Sequence, residues 1–421
     1  MTFRIIFPLI LAGSTLALSG CLEAINNLGG AQDATLARPT APAFLKSPAT
    51  EGISYQSADV TGETDSYGQF TYQVSQDVTF SVGAVALGTI TSTVAARGVV
   101  TPLDLVVSDS AGPTTITNST VLNITRFLMM LDQDGDPSNG IVISPEVREV
   151  ASTWNQVDFS SSNFEEQLTD IISSAASVDG TPHDLPDAAA AQAHLRNTLT
   201  CLYSGAFQGQ IGGDATGYFA FTVSPESRSL GGFVFSPATA AGRLRTLVAT
   251  DQLDFTQAQL SLVGFDLDSV SSYQYTVRYN GLNQVTGTWF PSSTTGTGQG
   301  GTPGNLSGGR LTPATLTVNY RATGTFNGSY AGAWVLDIPP LPQTGTVRVL
   351  GRMYTVNLDS SLTLNGEISP NGNLSITGED GSTRFDGNID LTTLHIIGTW
   401  SNDFADPRVS GTYTGAACRL L

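Results

Sequence analysis

Residues 203–211 read YSGAFQGQI and residues 217–223 read GYFAFTV. In both, aromatic or branched residues alternate with small or polar ones, the period of a strand with one face buried. The texture continues through YQYTVRY (273–279), ATLTVNY (314–320), GTVRVLG (345–351), YTVNLDSSLTL (354–364), NLSITGE (373–379) and HIIGTW (395–400). Residues 201–421 are therefore expected to form an all-β domain, an antiparallel β-barrel or β-sandwich. A short pattern recurs within it, at Ser204–Gly209 (SGAFQG), Thr323–Gly328 (TGTFNG) and Ser410–Gly415 (SGTYTG), and Gly-x-Trp recurs, ending at Trp289, Trp334 and Trp400. These aromatics read as core fillers beside glycines that permit bends, with a platform for sugar rings as the alternative. Residues 291–309, rich in Ser, Thr and Gly, read as a loop.

Upstream the period becomes helical. Within residues 108–200, NSTVLNITRFLMML places Val121, Ile124, Leu128 and Leu131 on one face, and Phe164, Leu168, Ile171 and Ile172 mark a second helix. A third follows Asp184-Leu185-Pro186-Asp187. Residues 48–107 alternate again and read as a small antiparallel β unit, so the fold class is α+β and mainly β. In that unit Gly62–Phe70 resembles the T-D-x-x-G-x-F turn of small β-sandwich modules in bacterial surface proteins; its physics is a tight turn at Asp65–Gly68 feeding a strand.

The N-terminus carries one cation, Arg4, before an apolar stretch from Ile5 to Leu18 that is too short to span about 30 Å of hydrocarbon as a mature helix. Residues 1–20 read as a secretory signal. Leu18-Ser19-Gly20-Cys21 resembles the lipobox of bacterial lipoproteins, and the resemblance implies diacylglycerol on Cys21 and a membrane-surface anchor. Leu22 stands where, in enterobacterial relatives, an aspartate favours the inner membrane, so the implied destination is the outer membrane. Residues 21–47, rich in Ala, Pro, Asn and Gly, read as a flexible tether. Export favours oxidation of the two remaining cysteines, so Cys201 and Cys418 are expected to form a disulfide that closes the β domain.

The chain has 18 basic and 36 acidic residues, a formal net charge of −18. Nucleic acid is thereby a poor partner, whereas cations and neutral glycans remain compatible. Lys46 is the only lysine, which leaves almost no candidate for lysine catalysis. No Gly-x-Ser-x-Gly, Ser-x-x-Lys or His-Glu-x-x-His motif is present, and the histidines, His183, His194 and His395, are scattered.

The most specific constellation is DQDGDPSNGIVISPE, Asp132–Glu146. It resembles an EF-hand loop carrying three inserted residues. The resemblance implies a structural Ca2+ held by Asp132, Asp134, Asp136, the Ile141 carbonyl and Glu146, with Pro137–Asn139 as the insertion. An acidic turn between helices explains the same letters without metal. The sequence as a whole points to a lipid-anchored cell-envelope protein that binds a glycan or another surface ligand without catalysis. A glycan hydrolase and a passive assembly factor are the alternatives.

Overall fold

In the computed structural model the β domain is two closed barrels in tandem, each of eight antiparallel strands. The structure describes residues 38–106, 114–237, 243–257, 259–266, 272–292, 303–312, 315–341, 344–405 and 407–421. The signal and Cys21 lie outside them. Residues Thr40–Leu421 make one compact unit.

The unit begins with Thr40–Leu45, which pairs antiparallel with Gln69–Gln73 and parallel with Val99–Val100. Ala43 and Leu45 on this strand are fully buried, so the tether expected to reach residue 47 gives way to folded chain at Thr40. A second sheet has the order Val60–Glu63, Ser54–Ser57, Val78–Val82, Val85–Ile90. Against these sheets pack the helices Ser119–Met130 and Thr169–Asp179, through Phe127, Leu128 and Ile171, in one core with Phe70 and Phe80. The first of these helices is capped by Asn118, whose side chain accepts from the Val121 amide; Gly180, at φ +73°, ends the second. Ala188–Tyr203, capped by Asp187, then leads into the barrels.

The first barrel comprises Gly205–Gly212, Gly217–Val223, Leu230–Ser236, Arg243–Ala249, Ser261–Asp266, Ser272–Asn280, Gln284–Ser292 and Gly304–Arg310. The second comprises Tyr320–Gly328, Gly332–Ile338, Val347–Thr355, Ser360–Ile368, Asn373–Gly378, Thr383–Ile389, His395–Asn402 and Val409–Arg419. In each, the eighth strand pairs with the first and closes the ring. The expectation of a single barrel or sandwich is thus corrected. Residues 315–319 join the barrels and are not strand; residues 354–364 are a hairpin, not one strand. Gly304–Arg310, expected as loop, is a closing strand whose glycines are required by packing.

The two barrels follow one plan. In strand seven of each, a tryptophan pairs with a glycine of strand eight, Trp289 with Gly304 and Trp400 with Gly411. A Cβ at Gly304 would lie 2.2 Å from the Trp289 ring, and one at Gly411 2.5 Å from that of Trp400, so no larger residue fits beneath either indole. Each indole Nε1 donates to a carbonyl at the end of strand one: Trp289 to Gly212 at 3.1 Å, Trp400 to Asn327 at 2.8 Å. Phe219 and Trp334 likewise occupy matching places, over Gly209 and Gly324. The sequence recurrences are therefore marks of a structural repeat.

Interior positions of the second barrel are apolar and its outward ones largely polar: Arg348, Glu367, Arg384 and Asp386, with the exposed Leu350 and Ile397 among them, stand outside a core of Phe326, Trp334, Phe385 and Trp400. This is the reverse of a lipid-embedded barrel. The outer faces of the two barrels meet through Ala206, Ala220, Ala331 and Ala333 with Phe233, Val335 and Tyr354. Four alanines at the contact let the sheets approach closely.

Three further devices hold the unit together. Cys201, at the helix end, is bonded to Cys418 in the last strand. Arg310 donates from Nε to Leu282 O at 2.5 Å, from Nη1 to Ser204 O at 2.6 Å and from Nη2 to Leu202 O at 2.5 Å. The fully buried Lys46 donates from Nζ to Leu316 O at 2.8 Å, between the barrels, and to Leu420 O at 3.4 Å. Burial lowers the Lys46 amine to about 7, against a smaller raising effect of Asp65.

Candidate functional site

One candidate is a cleft where the N-terminal module, the end of the 188–203 helix and the first barrel converge. Its volume is about 660 Å3. Helix periodicity brings Leu199, Leu202 and Tyr203 to one wall; Phe255 and Leu260 form another, and Val94, Val99 and Leu103 a third. Polar groups ring this apolar floor: Thr89, Thr91, Gln257, the turn residues Asn280 and Asn283, and the ion pair of Arg97 with Asp104. Asp104 also accepts from the Thr101 amide at 2.8 Å and the Thr101 hydroxyl at 3.0 Å, which fixes the short 102–105 helix. Tyr203 packs edge-on against Tyr279, whose hydroxyl donates to Tyr203 O at 2.9 Å. Burial pushes the Tyr203 phenol up, so it stays a neutral donor at the edge of the floor. An apolar cleft at a junction of modules, with a few convergent polar groups, is the usual form of a small-ligand site.

The acidic loop is built differently from an EF-hand. Asp132 Oδ1 accepts from the Val142 amide at 2.9 Å. Asp134 accepts from the Asp136 amide at 2.9 Å and from Asn139 Nδ2 at 2.8 Å; Asp136 accepts from the Ser138 amide and hydroxyl. Three carboxylates therefore cap turns of their own loop. Ile141 lies in a short parallel pairing with Thr50, and Glu146 starts the 145–151 helix with its side chain exposed. Among the described residues no three acidic, histidine or cysteine side chains converge as a metal set. Asn139, from the inserted Pro137–Asn139, occupies Asp134 from within the loop. One feature remains unsatisfied. Asp132 is 2% exposed and its Oδ2 has no partner. Burial, and the close approach of Asp134, raise its carboxyl to about 7.

Two of the histidines, His183 and His194, are held by contacts within the fold. His183 Nδ1 lies 2.7 Å from Met130 O, and Nε2 3.1 Å from Asp179; His194 Nε2 lies 2.8 Å from Ser47 O. His395 is exposed at the start of its strand. The cleft residues were not singled out by sequence, because they come from four separate stretches that only the fold unites.

No protein-family model and no curated protein matches the chain. Among solved structures, a protein of unknown function in the DUF3598 family, from Nostoc punctiforme PCC 73102, is similar at 8% identity, over 52% of this chain and 98% of that one, with a TM-score of 0.16.

Proposed function

We propose that the protein is a lipid-anchored cell-envelope binding protein whose cleft takes a neutral glycan. The observation that carries this reading is the cleft itself, where amides (Gln257, Asn280, Asn283) and an Arg–Asp pair surround an aromatic and aliphatic floor. Sugars offer both the hydroxyls and the apolar ring faces such a lining needs. Binding is favoured over hydrolysis because Asp104, the carboxylate on the wall, is committed to Arg97 and Thr101. Calorimetry of the mature chain against maltohexaose, chitohexaose and an oligogalacturonate tests it. A neutral oligosaccharide should bind, the acidic one should not, and Asn280→Ala, an exposed change, should weaken binding about tenfold, the scale of one lost hydrogen bond to a ligand. If no neutral sugar binds, or Asn280→Ala changes nothing, the cleft is not a glycan site. The anchor is tested separately: Cys21→Ser should abolish palmitate labelling, and a labelled variant ends the lipobox reading.

A structural calcium ion in the acidic loop belongs to the same reading, supported by the orphaned Asp132 Oδ2 facing Asp134. Without metal the fold binds a proton at Asp132 more tightly than the unfolded chain, so its stability falls as pH rises from 3.8 to about 7. Calcium would offset this, and its effect on the melting temperature should be larger at about pH 8 than at about pH 6, where a proton competes. Titration to about 1 mM covers the range of extracellular sites. No shift there, or an unchanged one in Asp134→Ala, leaves a metal-free turn.

A further inference from the structure

The registers of the two barrels can be laid on one another residue by residue. Tyr275 faces Trp289 across strands six and seven, and Phe385 faces Trp400. Asp266 faces Leu247, and Gly378 faces Leu364. Arg245 faces Val234, and Leu362 faces Met353. The second barrel thus closes with Leu362, Gly378 and Phe385 at the interior positions where the first has Arg245, Asp266 and Tyr275. The shared plan does not require these polar groups. Removing a guanidinium and a carboxylate from water is costly, so their presence calls for something the fold alone does not supply.

Their local arrangement says what. Arg245 is 6% exposed; its Nε lies 3.6 Å from Asp266 Oδ2, too far for a hydrogen bond, and its guanidinium stacks 4.2 Å over the Tyr273 ring. Arg245 Nε and Nη1 and the Ser236 hydroxyl, all buried, make no hydrogen bond of standard length, and the buried Tyr275 hydroxyl lies beside the Arg245 guanidinium. Burial pushes the Tyr275 phenol up to about 12, which keeps it an O–H donor. Ser236 and Asp266 end their strands, and Tyr273 and Arg245 are second and third in theirs, so the group gathers at one rim. The helix residues Leu195 and Leu199 join the core of this barrel. Beside the Asp266 carboxylate, the guanidinium edge and the two buried hydroxyls keep donor capacity that Asp266 does not take up, and a carboxylate is the group whose two oxygens match a guanidinium edge.

We infer that the rim of the first barrel binds a small carboxylate through Arg245 and Tyr275, with Ser236 beside them and Asp266 orienting the guanidinium. This site is independent of the cleft.

The test is calorimetry of the mature chain against acetate, benzoate and octanoate, each beside its alcohol. At least one carboxylate should bind saturably and its alcohol about tenfold more weakly, as expected when a charge-assisted hydrogen bond is lost. Tyr275→Phe and Arg245→Leu, which install residues the second barrel already tolerates, should each weaken binding about tenfold or more, while Tyr413→Phe, in the second barrel, and Asn280→Ala, in the cleft, should not. Thermal melts of all four variants establish that they fold. Absence of binding by all three acids, equal binding of acid and alcohol, or unchanged binding in folded Tyr275→Phe and Arg245→Leu would overturn the inference.

Discussion

Two barrels with the same strand order, the same tryptophan over the same glycine and the same indole hydrogen bond differ at three neighbouring interior positions. The first has Arg245, Asp266 and Tyr275; the second has Leu362, Gly378 and Phe385. Since the common features close a barrel in both cases, the differing ones are separable from closure. A repeat within one chain thus supplies the control that a single barrel lacks. The second barrel is the apolar reference, and the first is the same scaffold modified for a ligand.

The largest effect expected concerns what keeps the pair together. Replacing Cys201 and Cys418 by serine removes a link across 217 residues, worth on the order of 5 kcal/mol in the chain-entropy model. The second barrel, which holds one of the two cysteines, should then become the first target of limited proteolysis, while the first stays tied to the helix by Arg310. Simultaneous cleavage of both would show that they unfold as a unit.

Lys46 lies at the junction. Its folded amine titrates at about 7 against 10.5 in the unfolded chain, so between these values the unfolded state binds more protons and stability rises with pH, by an amount on the order of a few kcal/mol. Below about 7 that contribution is absent. Urea titrations between about pH 7 and pH 10 should show the slope in the parent and not in Lys46→Met, the nearest apolar shape. A slope shared by both would assign it to other groups.

Transplanting the apolar residues into the first barrel, as Arg245→Leu with Asp266→Gly and Tyr275→Phe, sharpens the contrast directly. Replacing a buried ion pair by well-packed hydrocarbon is often neutral or stabilising by about 1–4 kcal/mol, so the triple variant should melt no lower than the parent while losing carboxylate binding. A large loss of stability would mean that the polar group is part of the first barrel's architecture after all. The smallest change is expected from Tyr413→Phe. Its hydroxyl is buried without a partner, and removing it should alter stability by less than about 1 kcal/mol and leave binding as it was.

Much of the strand content was legible, because Phe207, Phe219, Tyr275, Trp289 and Trp400 fall on alternate positions beside polar neighbours. The number of barrels was not. Several strands carry inward residues that spoil the apolar rhythm: Gly232 in Leu230–Ser236, Arg245 in Arg243–Ala249, Gly264 and Asp266 in Ser261–Asp266. Without them the strands in view sufficed for one barrel. The residues that set the first barrel apart thus hid it from a pattern search. A signal existed in Gly-Thr-Trp at 287–289 and 398–400, whose spacing is the length of one repeat; reading outward from these two tryptophans in parallel would have set Tyr275 beside Phe385. The cleft had no such signal, since Arg97, Tyr203, Phe255 and Asn280 meet only after the module, helix and barrel pack. For the acidic loop, the letters located the cluster but not the donors, because Asn139 and the amides of Asp136, Ser138 and Val142 take the oxygens first.

The bond between Cys201 and Cys418 also turns both barrels into a single covalent ring that leaves the helix and returns to it at one point. A protease that cuts one connection anywhere in that ring opens it without releasing a piece. The severed protein would keep its mass on a non-reducing gel, and the part bearing Cys21 would keep its hold on everything beyond the helix.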